Sequence, residues 1–506
     1  MSKFKITPQL WDKIHHFASF PPTGVSLQQM ILFGERPSQG TLIKAAQFLG
    51  EELPIRLSHR VVELESLPDG LSKMPSINRV KEWYAESFEE LISFPKPKLP
   101  ANIEEILRMP PTHPIAFPRA IPNPSLDPVL NEGPTGSRIL YSDRPRQHQH
   151  VIGKGGVRMR IPIDRMYFSP PPVNTVYPPE VHEYNEKFTQ LLQKIKHRHD
   201  PTVTSVAQGV LEWKRSQKHG RIGQNIQEWL DRFYLSRIGI RALIGQHVAL
   251  NTLKPHPDYV GIICTNANVH DICHEAIENA RFVCEEHYGL FKGPPIQLLC
   301  PRDLTFPYIP GHLSHICFEL LKNSLRAVVE RYGVDNEDQF PPVKVIVVEG
   351  SEDITIKLSD EGGGIPRSAL PMIWTYLYTT MSDEGLETTI QESDFKAPMA
   401  GFGYGLPLSR LYARYFGGDL RLISMDGYGT DVYISLNKLS SSQEPLPTVI
   451  DPNWLQSAGK AGLAPDEGWG SPEEYLATDE QRAALERKQE LAHLQQTEAV
   501  ERAMAP

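Results

Sequence analysis

Apolar residues recur every three or four positions across much of the first 93 residues and again between 180 and 250, the spacing of helices that bury one face. The stretches IRLSHRVVELESL (55–67) and RVKEWYAESFEELISF (79–94) carry the pattern first. It returns at 180–199, at 201–214 and in the long run 225–250. In that run Ile226, Leu230, Phe233, Ile240, Leu243 and Ile244 are placed to face a core. Helices in such succession predict an antiparallel bundle. From about 268 the period changes. A helix over 269–288 precedes a short strand at 296–300 and a helix over 312–331. Alternation then appears in VKVIVVE (343–349) and DITIKLSD (353–360), and DLRLISM and TDVYISL around a DGYG turn read as a hairpin. Helices interleaved with hairpin-joined strands predict helices on one face of a largely antiparallel sheet. The expected fold class is α plus α/β, a helix bundle followed by an α/β sandwich.

Proline breaks the helical pattern once. Between Pro95 and Pro179 lie 18 of the 45 prolines, a density that excludes long helices and central strands. An extended surface insertion is expected there. It carries a basic run of Arg138, Arg144, Arg146, Lys154, Arg158, Arg160 and Arg165. Its pair His148 and His150 has no carboxylate or cysteine spaced to complete a metal site. Residues 439–506 hold Pro, Ser and Gly and then a charged run, which reads as an exposed helix or a tail.

Bulk composition narrows the classes. A chain of 506 residues with 40% hydrophobic content has room for two or three domains with real cores. A net charge of −9 argues against nucleic acid as a partner. No window approaches 18 consecutive apolar residues, so no membrane span is expected. The five cysteines (264, 273, 284, 300 and 317) form no CxxC, and their odd number suggests free thiols in a reducing compartment. The N-terminus lacks the apolar core of a secretory signal and matches an Arg- and Ser-rich mitochondrial presequence poorly.

The candidate chemistry lies in the second half. In HICFELLKNSLRAVVE (315–330) the residues Ile316, Leu320, Leu321, Leu325 and Val328 are set for burial. His315, Glu319, Asn323, Arg326 and Glu330 fall together on another side. Three glycine clusters follow. DEGGGIP places Asp360 at a strand end before Gly362, Gly363 and Gly364, GFGYG sets Gly401, Gly403 and Gly405 before a helix, and GYGTD ends on Gly429, Thr430 and Asp431. A glycine loop entering a helix offers backbone N–H donors and a positive dipole end to phosphate. The chain has no GxxxxGK[ST], no HRD catalytic loop and no strand-linked Rossmann GxGxxG, which excludes three commoner nucleotide sites.

The order of these boxes resembles the Bergerat-type ATP-binding fold shared by gyrase, Hsp90, histidine kinases and MutL. It is closer still to the mitochondrial pyruvate dehydrogenase kinase and branched-chain 2-oxoacid dehydrogenase kinase family. The resemblance is carried by HLSHICFELLKNSLRAVVE, LSDEGGGIP, YLYTT, AGFGYGLPLSRLYARYFGGDL and GYGTDVYISL, and by LPIRLSHRVVEL, RHDPTVTSVAQGVLEW and NIQEWLDRFYLSRIGIRALIGQH in the first half. It implies an N-terminal segment (1–25), a regulatory helix bundle (26–255, interrupted by the insertion 95–179), an ATPase-type kinase domain (256–440) and a C-terminal tail (441–506).

The resemblance also implies roles. Glu319 would be the general base toward a substrate serine, with His315 and His199 near it to orient or tune it. Asn323 would hold the Mg²⁺ that bridges the ATP phosphates. Asp360 would accept a hydrogen bond from the adenine amino group, and Lys322 and Arg326 suit phosphate oxygens. Gly362, Gly364, Thr379, Thr380 and Thr430 would line the nucleotide, and Gly401, Phe402, Gly403, Tyr404, Gly405 and Leu406 would form the lid over its phosphates. The implied activity is ATP- and Mg²⁺-dependent serine phosphorylation that inactivates the E1α subunit of pyruvate dehydrogenase in the mitochondrial matrix, by a homodimer docked on E2 lipoyl domains. A branched-chain 2-oxoacid dehydrogenase kinase and a non-catalytic ATP- or lipoyl-domain-binding adaptor are the alternatives. Two departures stand out. The family has only a short connection where this chain has its insertion, and its tail carries an Asp-Trp motif where this chain has DEGW, ending at Trp469.

Overall fold

The N-terminal helices form because each combines an apolar stripe with a defined start. Helix α1 (Pro8–Ala18) begins at Thr7, whose side chain accepts from the Leu10 N–H, and α2 (Leu27–Gly34) begins with a capping box between Ser26 and Gln29. Helix α3 (Gln39–Glu65) starts at a Ser38 cap and runs straight through Pro54. The sequence reads as helical here, but the clear apolar period shows only in its second half, at 55–67. Burial explains the difference: α3 buries Lys44, Glu52, Arg56, Arg60 and Glu63 as well as its apolar side, so no polar stripe remains to reveal a period. The bundle is completed by α4 (Pro75–Ile92), α5 (Ala101–Arg108), α6 (Pro179–Arg198), α7 (Thr202–Ser216) and α8 (Gln224–Thr252). The computed structural model describes residues 4–108 (except 36 and 98), 120, 123, 125, 176–216, 222–378, 403–438 and 441–446, and the backbone of 149–152 and 158–161.

Those two short backbone segments, β1 (Gln149–Ile152) and β2 (Arg158–Ile161), pair antiparallel inside the proline-rich insertion. Most of the basic run, His148 and the DEGW stretch lie outside the described residues. Among the described residues no cluster of three or more His, Cys, Asp or Glu is placed to hold a metal ion. No helix there is long and apolar enough to cross a membrane, and all five cysteines are free.

The second half is built on a five-stranded sheet in the order β5 (Ile296–Leu299), β7 (Val343–Glu349), β8 (Asp353–Asp360), β10 (Gly429–Asn437) and β9 (Asp419–Met425). Only β5 and β7 run parallel, as the alternating pattern predicts. One face buries Val345, Val347, Ile354, Ile356, Leu358, Val432 and Ile434 under α9 (Val269–Tyr288), α10 (Pro310–Tyr332) and α11 (Gly405–Tyr415). A second, three-stranded sheet joins β3 (Tyr259–Val260), β4 (Ile263–Asn268) and β6 (Thr305–Tyr308). Sequence pattern missed β4 because ICTNAN does not alternate; its register shifts between Cys264 and Ala267.

Helix α8 joins the halves. It packs on α3 and α6 of the bundle and on α11 of the sheet domain, and it buries residues on every side. The short segment after β10 adds a second tie. Glu444 accepts from Arg56, from the Val25 N–H and from the Tyr415 hydroxyl, while Arg56 also pairs with Glu52 at 2.8 Å. A buried cation is tolerable there because two carboxylates surround it.

Three buried histidines make this fold acid-sensitive. Burial drives His59 and His199 down to about 3 and His247 down to about 4, from an ordinary 6.5. Each is neutral in the folded chain and binds a proton more readily when unfolded, so stability falls as pH drops below about 6.5. Each contributes a slope of up to about 1.4 kcal/mol per pH unit. Melting temperature should therefore fall steeply between pH 6.5 and 5, and His247→Phe should flatten that slope. A melting temperature constant over that window would contradict the assignment.

Candidate active site

Helix α10 supplies the floor of the site. Ile316, Leu320, Leu321, Leu325 and Val328 are all buried, as their spacing predicts. The other face turns outward: Asn323 and Glu330 are exposed, and His315, Glu319 and Arg326 are half-buried. Arg326 pairs along this face with Glu330, Nε to Oε1 at 2.7 Å.

Glu319 is held from two sides. The Lys322 ammonium, itself buried and lying over the Phe318 ring, sits 2.9 Å from Oε1. On the other side, a side chain at Gly405 would place its Cβ 2.5 Å from Oε2, so the loop backbone lies against the carboxylate and a larger residue there would push the Glu319 side chain aside. His315 stands one turn earlier. Burial lowers its pKa below 6.5, while the neighbouring Glu319 charge pulls the other way. Its Nε2 is buried with no protein partner among the described residues. Its ring meets Tyr412 of α11 edge-on at 5.0 Å.

Asp360 ends β8 directly opposite Thr430 of β10. It is 5% exposed, and burial raises its pKa. Oδ2 accepts from the Ser324 hydroxyl at 2.9 Å, and Oδ1 accepts from the Gly362 N–H at 3.0 Å. Ser324 comes from α10, so the floor helix and the strand end share one polar knot. Gly362 packs against α10 too: a Cβ there would lie 2.4 Å from that of Ala327. Thr430 is buried beside Ser424, oxygen to oxygen 3.0 Å, and Ser424 in turn receives the Ile365 N–H of the DEGGGIP turn.

The third glycine cluster completes the arrangement. Gly403 has φ +71°, and a Cβ on it would meet the Tyr378 carbonyl oxygen at 2.4 Å, so both conformation and contact demand glycine. Tyr404 is buried, Leu406 packs on the core, and α11 begins at Gly405 with no side-chain cap. The first N–H groups of an uncapped helix suit an anion. Thr379, Thr380, Gly401 and Phe402 lie outside the described residues. Gly364 adopts φ +75° in the turn after Asp360, close against the Met425 carbonyl.

His199 takes its place in the bundle. It is 2% exposed, stacks on Tyr84 at 4.4 Å and shares a hydrogen bond with Ser87, Nε2 to Oγ 3.0 Å. Its ring nitrogen is thus directed to Ser87 and not to Glu319. Sequence reasoning missed Ser324, although a serine on the buried side of α10 was a usable signal. It also missed Gln227 and Asp231 of α8, which bond Tyr376 just before the residues outside the description. Asp231, raised to about 6 by burial, accepts from the Tyr376 hydroxyl.

The arrangement can bind an anion at the start of α11, seat a hydrogen-bond donor at Asp360 and offer a carboxylate, Glu319, between them. Comparison with known proteins agrees in both halves. Residues 309–440 match the family model described as histidine kinase-, DNA gyrase B- and HSP90-like ATPase. Residues 24–264 match the model described as mitochondrial branched-chain alpha-ketoacid dehydrogenase kinase. A mitochondrial [pyruvate dehydrogenase (acetyl-transferring)] kinase of Schizosaccharomyces pombe is 43% identical over 439 residues, covering 86% of this chain and 98% of its own. The Arabidopsis thaliana protein of the same name is 39% identical over 441 residues, with 87% and 96% covered. Isozyme 3 of Homo sapiens is 34% identical over 456 residues, with 87% and 89% covered.

Proposed function

The chain belongs to the family of mitochondrial [pyruvate dehydrogenase (acetyl-transferring)] kinases, and from that premise we propose that it transfers the γ-phosphoryl group of ATP to a serine of the E1α subunit of pyruvate dehydrogenase, switching that enzyme off. The observation that carries this reading is Glu319, set between the Lys322 ammonium and Gly405 at the start of an uncapped helix. A carboxylate so placed can take the proton of an attacking hydroxyl beside the seat of the phosphates.

The other roles follow from chemistry and place. Asp360 accepts the adenine amino group, and Gly362, Gly364 and Thr430 shape the nucleotide floor around it. Gly403 to Leu406 present backbone N–H groups to the phosphates, with Gly401, Phe402, Thr379 and Thr380 as further members of the ATP segment. Lys322 and Arg326 supply positive charge, Lys322 doing so while it fixes Glu319. His315 stands nearest to tune the base, and His199, bonded to Ser87 inside the bundle, would influence it only indirectly through the packing between them. Asn323 fits a hard cation: it is exposed one turn beyond Glu319, and its carboxamide supplies a hard oxygen donor. Mg²⁺ held there would neutralise charge on the phosphate oxygens.

We place the enzyme in the mitochondrion, the compartment in its relatives' names, and more finely in the matrix, docked on the lipoyl domain of E2. A homodimer is supported by the sheet's outer face, where Leu299, Val348, Ile423 and Met425 are each more than half exposed. The domain division proposed for the chain is the one expected from its sequence, a bundle to residue 255 and a kinase domain over 256–440, with the segment 441–446 docked back onto the bundle through Glu444.

The N-terminal family model bears the branched-chain name, which favours testing that substrate directly. Full-length protein with ATP and Mg²⁺ should label pyruvate dehydrogenase E1α and leave the branched-chain E1 at least tenfold less labelled. Labelling confined to the branched-chain E1 would move the substrate assignment, and labelling of neither would favour a non-catalytic adaptor.

A further inference from the structure

Helix α8 belongs to the bundle, yet its side chains reach Tyr376 of the sheet domain. The Gln227 side chain brackets the backbone of Tyr376, accepting its N–H at 2.7 Å and donating to its carbonyl at 3.3 Å. One turn on, Asp231 accepts from the hydroxyl of the same tyrosine at 2.6 Å. Tyr376 is 2% exposed, so this polar triad has little water to replace it.

The Tyr376 ring carries the contact onward. It packs on Tyr404 with centroids 5.1 Å apart, and Tyr234, also from α8, meets both rings at 5.5 and 5.6 Å. Tyr404 is followed immediately by Gly405, the residue whose Cα faces the Glu319 carboxylate. Gly403, on the other side of Tyr404, lies against the Tyr378 backbone. Residues 376–378 and 403–405 are thus gathered on three α8 side chains at positions 227, 231 and 234.

We propose that Gln227 and Asp231 are positioning residues for phosphoryl transfer: they hold Tyr376, and through the Tyr376–Tyr404 contact they set Gly405 against Glu319. This rests on the kinase reading above. A hydrogen-bonded triad with a stacked ring fixes direction as well as distance, which apolar packing alone does not. A small displacement of Gly405 changes both the N–H groups offered to phosphate and the closeness of the loop to the base. Positioning errors of this kind act on rate more than on folding.

The test uses the full chain and two readouts, phosphorylation of pyruvate dehydrogenase E1α and equilibrium binding of a fluorescent ATP analogue. Tyr376→Phe removes one hydroxyl and keeps the ring. It should cut kcat about tenfold and weaken nucleotide binding about threefold, with melting temperature within about 3 °C of wild type. Asp231→Ala should do the same, and the double variant should be no worse than either single, because both remove one bond. Asp231→Asn keeps an acceptor and should restore most of the loss. Singles within twofold of wild type in both readouts, or effects that multiply in the double, would overturn the proposal. Should Asp231→Ala fail to fold, Tyr376→Phe against Asp231→Asn still decides. Wild-type protein that labels no E1α would overturn the kinase reading instead, while analogue binding still judges the clamp.

Discussion

Replacing Glu319 with glutamine is expected to slow phosphoryl transfer to E1α by roughly 10²–10⁴-fold, the contribution typical of a positioned general base. The amide keeps the size and the hydrogen-bonding oxygen of the side chain but cannot take a proton from the attacking serine. ATP affinity should change little, because the proposed nucleotide contacts are Asp360 and the loop at Gly403–Leu406. One complication is built into the site. Lys322 is buried against this carboxylate, so glutamine removes the charge that Glu319 sets 2.9 Å from its ammonium. Breaking such a pair is destabilising, and some loss of melting temperature is expected. Glu319→Asp separates the two effects. It retains the charge that Lys322 needs but withdraws the carboxylate by one methylene, so it should restore stability while leaving transfer about 10–100-fold slow. Rapid single-turnover labelling of E1α measures the chemical step directly. A Glu319→Gln enzyme within threefold of wild type would show that another group takes the proton.

Much of this site could be read from the chain because its signals are local. The four-and-three spacing of His315, Glu319, Asn323, Arg326 and Glu330 defines a helix face without any tertiary knowledge, and α10 presents that face outward. The glycines before α11 and after Asp360 mark where a backbone must turn or pass close. Gly403 and Gly362 do so for reasons the sequence does not name, the Tyr378 backbone and the Ala327 side chain. What stayed hidden depends on distant pairs. A single Asp231 in an amphipathic helix reads as a solvated residue until the fold brings Tyr376, 145 positions away, to its oxygen. Glu444 likewise reads as tail until Arg56 and Tyr415 surround it. Helix α3 was legible as a helix but not in which side it buries, for the same cause: its charged residues Glu52, Arg56, Arg60 and Glu63 find partners inside the protein.

The second large effect is expected at Asp360, where alanine and asparagine should fail differently. Alanine removes both acceptors, leaving the buried Ser324 hydroxyl and the Gly362 N–H without their partner. Each orphaned group costs about 1–3 kcal/mol, so Asp360→Ala should lose stability as well as ATP binding. Asparagine is the sharper probe. Its carbonyl oxygen can keep the Gly362 N–H, and its amide can donate to the Ser324 oxygen, so the polar knot survives in altered form. Toward the base, however, an acceptor becomes a donor. The adenine amino group, itself a donor, then meets a mismatch. Losing a hydrogen bond to a charged group is worth about 1.5–3 kcal/mol, or roughly 10–100-fold in affinity. Hypoxanthine presents a carbonyl where adenine presents its amino group. Asp360→Asn should therefore bind ITP nearly as well as ATP, whereas wild type should favour ATP at least tenfold. Calorimetric titration of both nucleotides into both proteins reads this ratio. An unchanged ratio in the asparagine variant would mean that Asp360 holds the loop at Gly362 and not the base.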